Sequence, residues 1–399
     1  MGWAVVSPTL SRPLDALVTD VQLAPAVAGV RGLGRGGIGV IALGPDRSAA
    51  GLWSRYTRER EVGPDAVASP EAYVSLIASV AKEHGPLVVY PSREESIDAI
   101  VDHLAEMPPE VAFPFPTNDA LRMIREKPGL EALTAEVGLR SPVTIVEATA
   151  GELLESSIPV PNVIKPAAPV GRVFCTARVI ESKEELREVL VQRVASDERV
   201  LVQEHATGPL ISVEIVLDRD GQVAMQFQGL ALETWPPKAG SISYAVSVEP
   251  DPDLVERAAE LLRRAGYWGL AQLDFVDDDR GKTLIDVNPR FYACLPLALA
   301  CGVNLPQMWH AVVTGGPRPP VSNYPIGVTY RWLKGDIAAA TQGLPRRLLR
   351  RRSRGGAGSA WASDDPLPGV LIASRAVTRR LSRSRARLGV EDDRPAAAG

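Results

Sequence analysis

The chain has 399 residues, 45% of them apolar and 23% charged, and a formal net charge of −4. The length exceeds what one compact domain holds, and the composition is that of an ordinary globular protein without a fibrous repeat. No apolar run reaches the roughly 18 residues of a membrane span, no secretory signal opens the chain, and Cys175, Cys294 and Cys301 lack zinc or disulfide-framework spacing, so a cytoplasmic location is expected.

The first hundred residues read as alternating strands and helices. Strands are expected at Ala4–Val6, Ile38–Leu43 and Leu87–Tyr90, the end of a helix at Ala24–Val30, and further helices at Pro70–Glu83 and Glu95–Glu106. Such alternation implies a parallel sheet with both faces covered. Gly34-Arg35-Gly36-Gly37-Ile38-Gly39 matches GxGxxG, but a helix precedes it and a strand follows. A dinucleotide fingerprint needs the reverse order, so these glycines are read as a helix cap and turn.

A helical pattern follows over Asn118–Val137, with Pro128 marking a break and Lys127 beside it. Pro161–Pro166 reads as a strand ending on Lys165. A lysine there has a buried stem and a fixed ammonium, which suits a point charge on a phosphate. Val200–Ala206 is a strand running into a polar segment, and Ile211–Leu217 places Glu214 among apolar neighbours. A carboxylate in such company needs a partner, either a ligand hydroxyl pair or an arginine.

The most telling stretch is Leu270–Val276, then the polar turn Asp277–Gly281, then Leu284-Ile285-Asp286-Val287-Asn288-Pro289-Arg290. Two apolar runs around a short Asp/Gly turn predict a β-hairpin. Side chains alternate across a strand, so Asp286 and Asn288 share a face, and a five-residue turn puts Asp274 on that face too. Two carboxylates and an amide are hard oxygen donors of the kind that hold Mg²⁺ together with substrate phosphates. Gly281-Lys282-Thr283 is only the hairpin exit, since position 276 is Val where a phosphate loop needs Gly.

Charge is uneven. From Arg331 onward there are fifteen Lys/Arg and six Asp/Glu, a net of +9, which leaves −13 on the preceding 330 residues. Arg346–Arg354 and Arg375–Arg387 read as parts of a solvated, partly disordered tail or as a contact for an anionic surface or polymer.

Taken in order, Lys127, Val-Ile-Lys165-Pro166, Val-Gln203-Glu204-His205, Glu214, Asp274 and Asp286-Val-Asn288-Pro-Arg290 resemble the ATP-grasp superfamily, in its carboxylate–amine ligase and carbamoyl-phosphate-synthase-like branch. The likeness spans roughly Gly29 to Trp309 and includes Ser54-Arg55-Tyr56 in the leading region. It implies an α/β (α+β) ATP-grasp fold: a Rossmann-like pre-ATP-grasp domain over 1–116, an ATP-grasp domain over 117–325 with a small lid at about 143–200 and a larger C-terminal subdomain, and a basic extension over 326–399.

The resemblance implies roles as well. Lys127 and Lys165 contact ATP phosphates. Gln203, Glu204, His205 and Ala206 form the hinge that holds adenine, and Glu214 binds ribose. Asp274, Asp286 and Asn288 hold Mg²⁺, with Mn²⁺ as a substitute. Arg290 stabilises the transferring phosphoryl group or the substrate carboxylate, and Lys238 approaches the γ-phosphate from its loop. The implied activity is an ATP-dependent ligase that joins a carboxylate to an amine through an acyl phosphate, with small-molecule substrates and a homodimer as one allowed assembly. The alternative is an ATP-binding regulatory or scaffold module that has lost ligation and acts through its basic tail. Carboxyphosphate chemistry is a third reading, without a biotin-attachment or amidotransferase segment in the chain.

The chain departs from the pattern at four places. Its lid loop, Ala167–Val173, has one glycine, with Arg172 as a substitute charge. Leu210 stands where some relatives place the ribose-binding Glu, Asp286 where Glu is commoner, and Ala293-Cys294 where Gly-Ser is frequent. His84, His103 and His310 read as surface or helix-end residues, and Trp235, Tyr267, Trp268 and Trp309 as core. Deletion beyond about residue 340 is expected to leave ATP turnover intact and to weaken contact with anionic surfaces.

Overall fold

The computed structural model describes residues 15–166, 177–193 and 197–375. Strands β1 (Asp15–Val18), β2 (Val40–Gly44), β3 (Thr57–Val62), β4 (Leu87–Tyr90) and β5 (Val111–Ala112) form a parallel sheet in the order β3-β2-β1-β4-β5. Alternate residues of its central strands enter two different cores. Leu17, Ile41 and Val89 pack with α2 (Pro70–His84) and α3 (Glu94–Asp102), whereas Ala16, Val18, Val40 and Tyr90 pack with α1 (Ala24–Arg35). Burial on both faces is why these strands read as short unbroken apolar runs.

The expected strand Ala4–Val6 lies outside the described residues, and β1, Asp15–Val18, is a strand that the sequence reading did not anticipate. Ala24 opens a helix that runs to Arg35; it is not the end of one. The GxGxxG glycines therefore lie at the C-terminal end of α1, with Gly36 as its cap and Gly37 at φ 79°.

The predicted helix over 118–137 is two, α4 (Asn118–Arg125) and α5 (Lys127–Glu136), separated by Glu126 in an extended conformation. Pro128 has no N–H to give and is tolerated in the first turn of α5. Next comes an antiparallel sheet of β6 (Thr144–Thr149), β7 (Asn162–Pro166), β8 (Arg178–Ile180) and β9 (Arg199–Glu204), in the order β6-β9-β7-β8. It carries α6 (Ala150–Glu155), opened by a capping box from Thr149 and Glu152, and α7 (Lys183–Arg193). Ile164, Ile180, Leu190, Val200 and Val202 belong to a core confined to this unit, separate from the rest of the molecule.

The third sheet has seven strands: β10 (Leu210–Leu217), β11 (Val223–Trp235), β12 (Ser241–Ser247), β13 (Gly269–Asp278), β14 (Gly281–Asn288), β15 (Thr329–Arg331) and β16 (Ala357–Gly358). Their order is β14-β13-β10-β11-β12-β15-β16. Helices α8 (Pro252–Arg264), α9 (Leu295–Ala300) and α10 (Leu305–Thr314) pack with it. Asp251 caps α8 by accepting from the N–H groups of Asp253 and Leu254, and Asn304 caps α10 through Gln307.

Aromatic packing joins this unit to the leading sheet. Tyr90, Phe291 and Trp309 are fully buried together, and the Trp309 indole donates to the Pro114 carbonyl at 2.7 Å. Gly29 allows the approach, because a Cβ there would lie 2.2 Å from the Phe291 ring. His310, expected at the surface, is buried and within 3.0 Å of the Tyr90 hydroxyl.

Residues 329–375, read from sequence as part of a basic extension, belong to this fold. They supply β15, β16 and α11 (Leu333–Ala340) and return to the leading sheet. Asp365, only 2% exposed, accepts from Arg31 Nε at 2.9 Å, Ser54 Oγ at 2.8 Å and the Arg55 N–H at 2.9 Å. Asp364 accepts from Arg35 and, at 2.7 Å, from the Tyr56 hydroxyl. Ser54-Arg55-Tyr56, singled out by resemblance, is thus held by this clasp. Truncation near residue 340 would remove the clasp and β16, so turnover without the later residues is not expected.

Candidate active site

The hairpin forms, by a different route from the one expected. β13 and β14 are longer than predicted, and the turn is only Asp279-Arg280. Simple pairing from that turn would set Asp274 opposite Ile285. A bulge at Ile285 changes the register, so that Asp274 faces Asp286 and Gln272 faces Asn288. Bulges of this kind re-aim side chains beside functional sites. On the next strand Ser212 faces Asp274 and Glu214 faces Gln272. One face thus carries Ser212, Glu214, Gln272, Asp274, Asp286 and Asn288.

Amides bind this face together. Gln272 donates to Asp274 at 2.6 Å, and Asn288 donates to Gln272 at 3.0 Å and to Asp286 at 3.1 Å. Burial, then the charges of Asp286 and Glu214, push the Asp274 carboxyl well up, and Arg290 pulls the other way. Burial raises Glu214 to about 8; its Oε1 accepts from Ser212 at 2.9 Å and lies 3.8 Å from Cys294 Sγ. The other oxygen of Glu214 and the Tyr292 hydroxyl are buried without a hydrogen-bond partner. Glu214 therefore sits within the carboxylate cluster, with one oxygen free to accept from a ligand hydroxyl of the kind the resemblance implies.

Lys127 opens α5 and Lys165 lies on β7, and the two side chains meet. Burial and the Lys127 ammonium lower Lys165 to about 7, against the pull of Asp286. Two lysines from separate elements lie near each other, and Asp286 on the large sheet acts on Lys165 electrostatically. Like charges held this close in partial burial call for an anion between them.

Gln203 to Ala206 link the small sheet to β10. Gln203 is buried, donates to Thr144 at 3.3 Å and leaves its carbonyl oxygen without a partner. The Glu204 N–H donates to Val143 at 2.9 Å, and its carboxylate pairs with Arg140 and Arg280. Burial and then Lys238 lower the pKa of His205. Lys238 pairs with Glu181 of the small sheet. It makes no hydrogen bond or ion pair with Asp274, Asp286 or Arg290 among the described residues. The loop Ala167–Val173, Arg172 included, lies outside the described residues.

Arg290 donates to Glu94 at 2.6 Å, and the other Glu94 oxygen is 2.6 Å from Arg125. Glu94 starts α3, just past the carboxyl end of β4, so the leading sheet orients Arg290. Sequence reasoning missed Glu94, Arg140, Arg280 and Gln272. Only Gln272 had a signal, since it is two residues before Asp274 and must share its face.

The donors Asp274, Asp286 and Asn288 fit a Mg²⁺ ion that completes its shell with water and phosphate oxygens. No group of three His, Cys, Asp or Glu side chains placed to hold a metal occurs among the described residues. A separate cavity of about 210 Å³ lies between Arg31, Arg35, Arg352 and Trp361. It shares no residue with this cluster, and its lining carries one carboxylate, Asp364.

The fold resembles solved structures. A biotin carboxylase from Campylobacter jejuni, described as a complex with β,γ-ATP, superposes with a TM-score of 0.59 at 16% identity, over 79% of this chain and 74% of that one. The biotin carboxylase domain of 2-oxoglutarate carboxylase from Hydrogenobacter thermophilus, described as a dimer with MgADP, ADP and bicarbonate, gives 0.58 at 14% identity, over 80% and 74%. No curated protein matches in sequence. Residues 196–335 match the model of the family described as ATP-grasp in the biosynthetic pathway with Ter operon, and the likeness to these solved structures is one of fold. No helix among the described residues is long and apolar enough to cross a membrane.

Proposed function

We propose that the protein is an ATP-dependent ligase that joins a carboxylate to an amine. The observation that carries this reading is the face on which Asp274 stands opposite Asp286 beside Asn288, with Arg290 held by Glu94 at its exit and Lys127 and Lys165 near by. A carboxylate is a poor electrophile because its leaving group would be oxide. Its oxygen attacks the γ-phosphorus of ATP and ADP leaves, giving an acyl phosphate. The amine nitrogen then attacks the acyl carbon, phosphate leaves and the nitrogen loses a proton.

The chain's part is positioning and charge balance. Lys127 and Lys165 hold phosphate oxygens, and Gln203–Ala206 hold the base. Arg290, fixed by Glu94, faces the transferring group or the substrate carboxylate. Asp274, Asp286 and Asn288 hold Mg²⁺, which neutralises phosphate charge when bound. The four-stranded unit has its own core and so can close as a body, keeping the acyl phosphate from water.

Lys165 gives this site a pH signature. Below about 7 its ammonium is charged; above that value it is neutral, and phosphate binding must draw a proton from solvent. Nucleotide affinity is therefore expected to fall as pH rises from about 7 to about 9, by up to roughly tenfold per unit, with proton uptake on binding. Titration calorimetry in two buffers of different ionisation heat measures both quantities. A pH-independent Kd without proton uptake would remove Lys165 from the phosphate site.

The activity itself is tested by ADP release from Mg·ATP with pooled amino acids, small carboxylic acids and sugar acids. Release that requires one carboxylate and one amine is expected. Tight nucleotide binding without turnover on any pool would instead favour a non-catalytic ATP-binding module.

A further inference from the structure

Between Asp336 and Asp364 the chain carries no acidic residue, although it carries Arg346, Arg347, Arg350, Arg351, Arg352 and Arg354. Five of these six arginines fall into two sets, and Arg352 donates to the Gly356 carbonyl. Arg347 and Arg350 turn inward to Glu233, and Arg350 also approaches Asp336 at 3.6 Å. Arg331 pairs with the same Asp336. Asp336 and Glu233 are thereby engaged by Arg331, Arg347 and Arg350. Lys334, Arg346, Arg351 and Arg354 point outward, with no carboxylate partner among the described residues.

The same surface is apolar. Leu333 and Ile337 lie one turn apart on α11 and are both exposed. The chain then turns through Leu344 into a 3₁₀ helix, Pro345–Leu349, which displays Leu348 at 44% and Leu349 at 80% exposure. Leucines cost free energy in water, and a run of them this exposed marks a contact surface. Interleaved cations narrow the choice of partner. A second copy of the chain in a two-fold contact would set this basic patch against itself. Nucleic acid would use the arginines and leave the leucines in water. An anionic lipid surface satisfies both, with phosphates for the cations and the acyl boundary for the leucines.

We propose that α11 and the 345–349 turn form a docking face for an anionic lipid surface. Leu344, Leu348 and Leu349 enter the headgroup layer, and Lys334, Arg346, Arg351 and Arg354 meet lipid phosphates. This inference is independent of the ligase reading. It places the contact on a folded face, ahead of the arginine-rich residues past 375.

The test is flotation of the full chain with vesicles of phosphatidylglycerol and phosphatidylcholine in equal parts, and with phosphatidylcholine alone. Binding to the anionic vesicles alone is expected, and it should weaken as salt shortens the screening length. The double variant Leu348→Ser/Leu349→Ser should lose roughly tenfold or more in partitioning, while a chain ending at Arg375 retains binding. Three results would overturn the proposal: binding that the leucine variant keeps and the shortened chain loses, polyanion binding with no vesicle binding, or leucine-dependent self-association with no vesicle binding.

Discussion

Asp286→Asn is expected to lower ADP release by on the order of 10²–10³-fold while the protein stays folded. The substitution keeps the shape of the side chain and its place on β14 opposite Asp274, and it removes one of the two carboxylates proposed to hold Mg²⁺. The neighbouring wiring predicts a second, opposite effect. Asp274 is pushed up partly because Asp286 stands opposite it, so removal of that charge relieves repulsion in the nucleotide-free protein. The variant should therefore melt at the same temperature as the parent or higher, yet lose the additional stabilisation that Mg·ATP gives the parent. Thermal melts with and without Mg·ATP, run beside an ADP-release assay, measure both effects. Unchanged ADP release would place the chemistry elsewhere. A large drop in the nucleotide-free melting temperature would mean that Asp286 serves the fold.

The second large effect concerns Asp365, far from the proposed chemistry. Asp365→Ala leaves Arg31, 3% exposed, as a buried charge without its carboxylate. Breaking one half of a buried pair typically costs about 3–5 kcal/mol, which corresponds to a fall in melting temperature of roughly 5–15 °C. Asp364→Asn is the contrast, because its ion pair with Arg35 is about one-third exposed and is worth about 1 kcal/mol or less. The Arg35 guanidinium and the Tyr56 hydroxyl hold the Asp364 carboxyl at about 2, below its ordinary 3.8. A depressed carboxylate contributes stability above its unfolded value and loses it as pH falls. The Asp364 share of the clasp is therefore intact above about pH 4 and gone below about pH 2. Equal melting temperatures for the two variants would refute the clasp as a structural element.

The site was legible wherever its chemistry lay in one stretch of chain. Asp274, Asp286, Asn288 and Arg290 fall within one hairpin and its exit, and strand alternation groups the first three. The bulge at Ile285 was not legible, since an isoleucine between Leu284 and Asp286 looks like any strand residue. Glu94 was invisible because its partner Arg290 lies 196 positions away. In the leading domain, α1 was misread because Gly29, Gly32 and Gly34 lower helix propensity. Their reason is tertiary, in the close approach of Phe291, Pro306 and Tyr56. The basic segment misled for the same reason. Nothing local reveals that Arg347 and Arg350 turn inward to Glu233 on a strand more than a hundred residues earlier.

The clasp has a consequence in time. Arg31 and Asp365 are 334 residues apart, and synthesis at about 5–20 residues per second delivers the second roughly twenty seconds to a minute after the first. Through that interval the leading sheet exists with an unanswered guanidinium on α1 and the Ser54–Tyr56 segment uncovered. The leading sheet is thus completed only after Asp365 has been made. A product terminated before that residue would carry an unfinished leading domain for proteases to find.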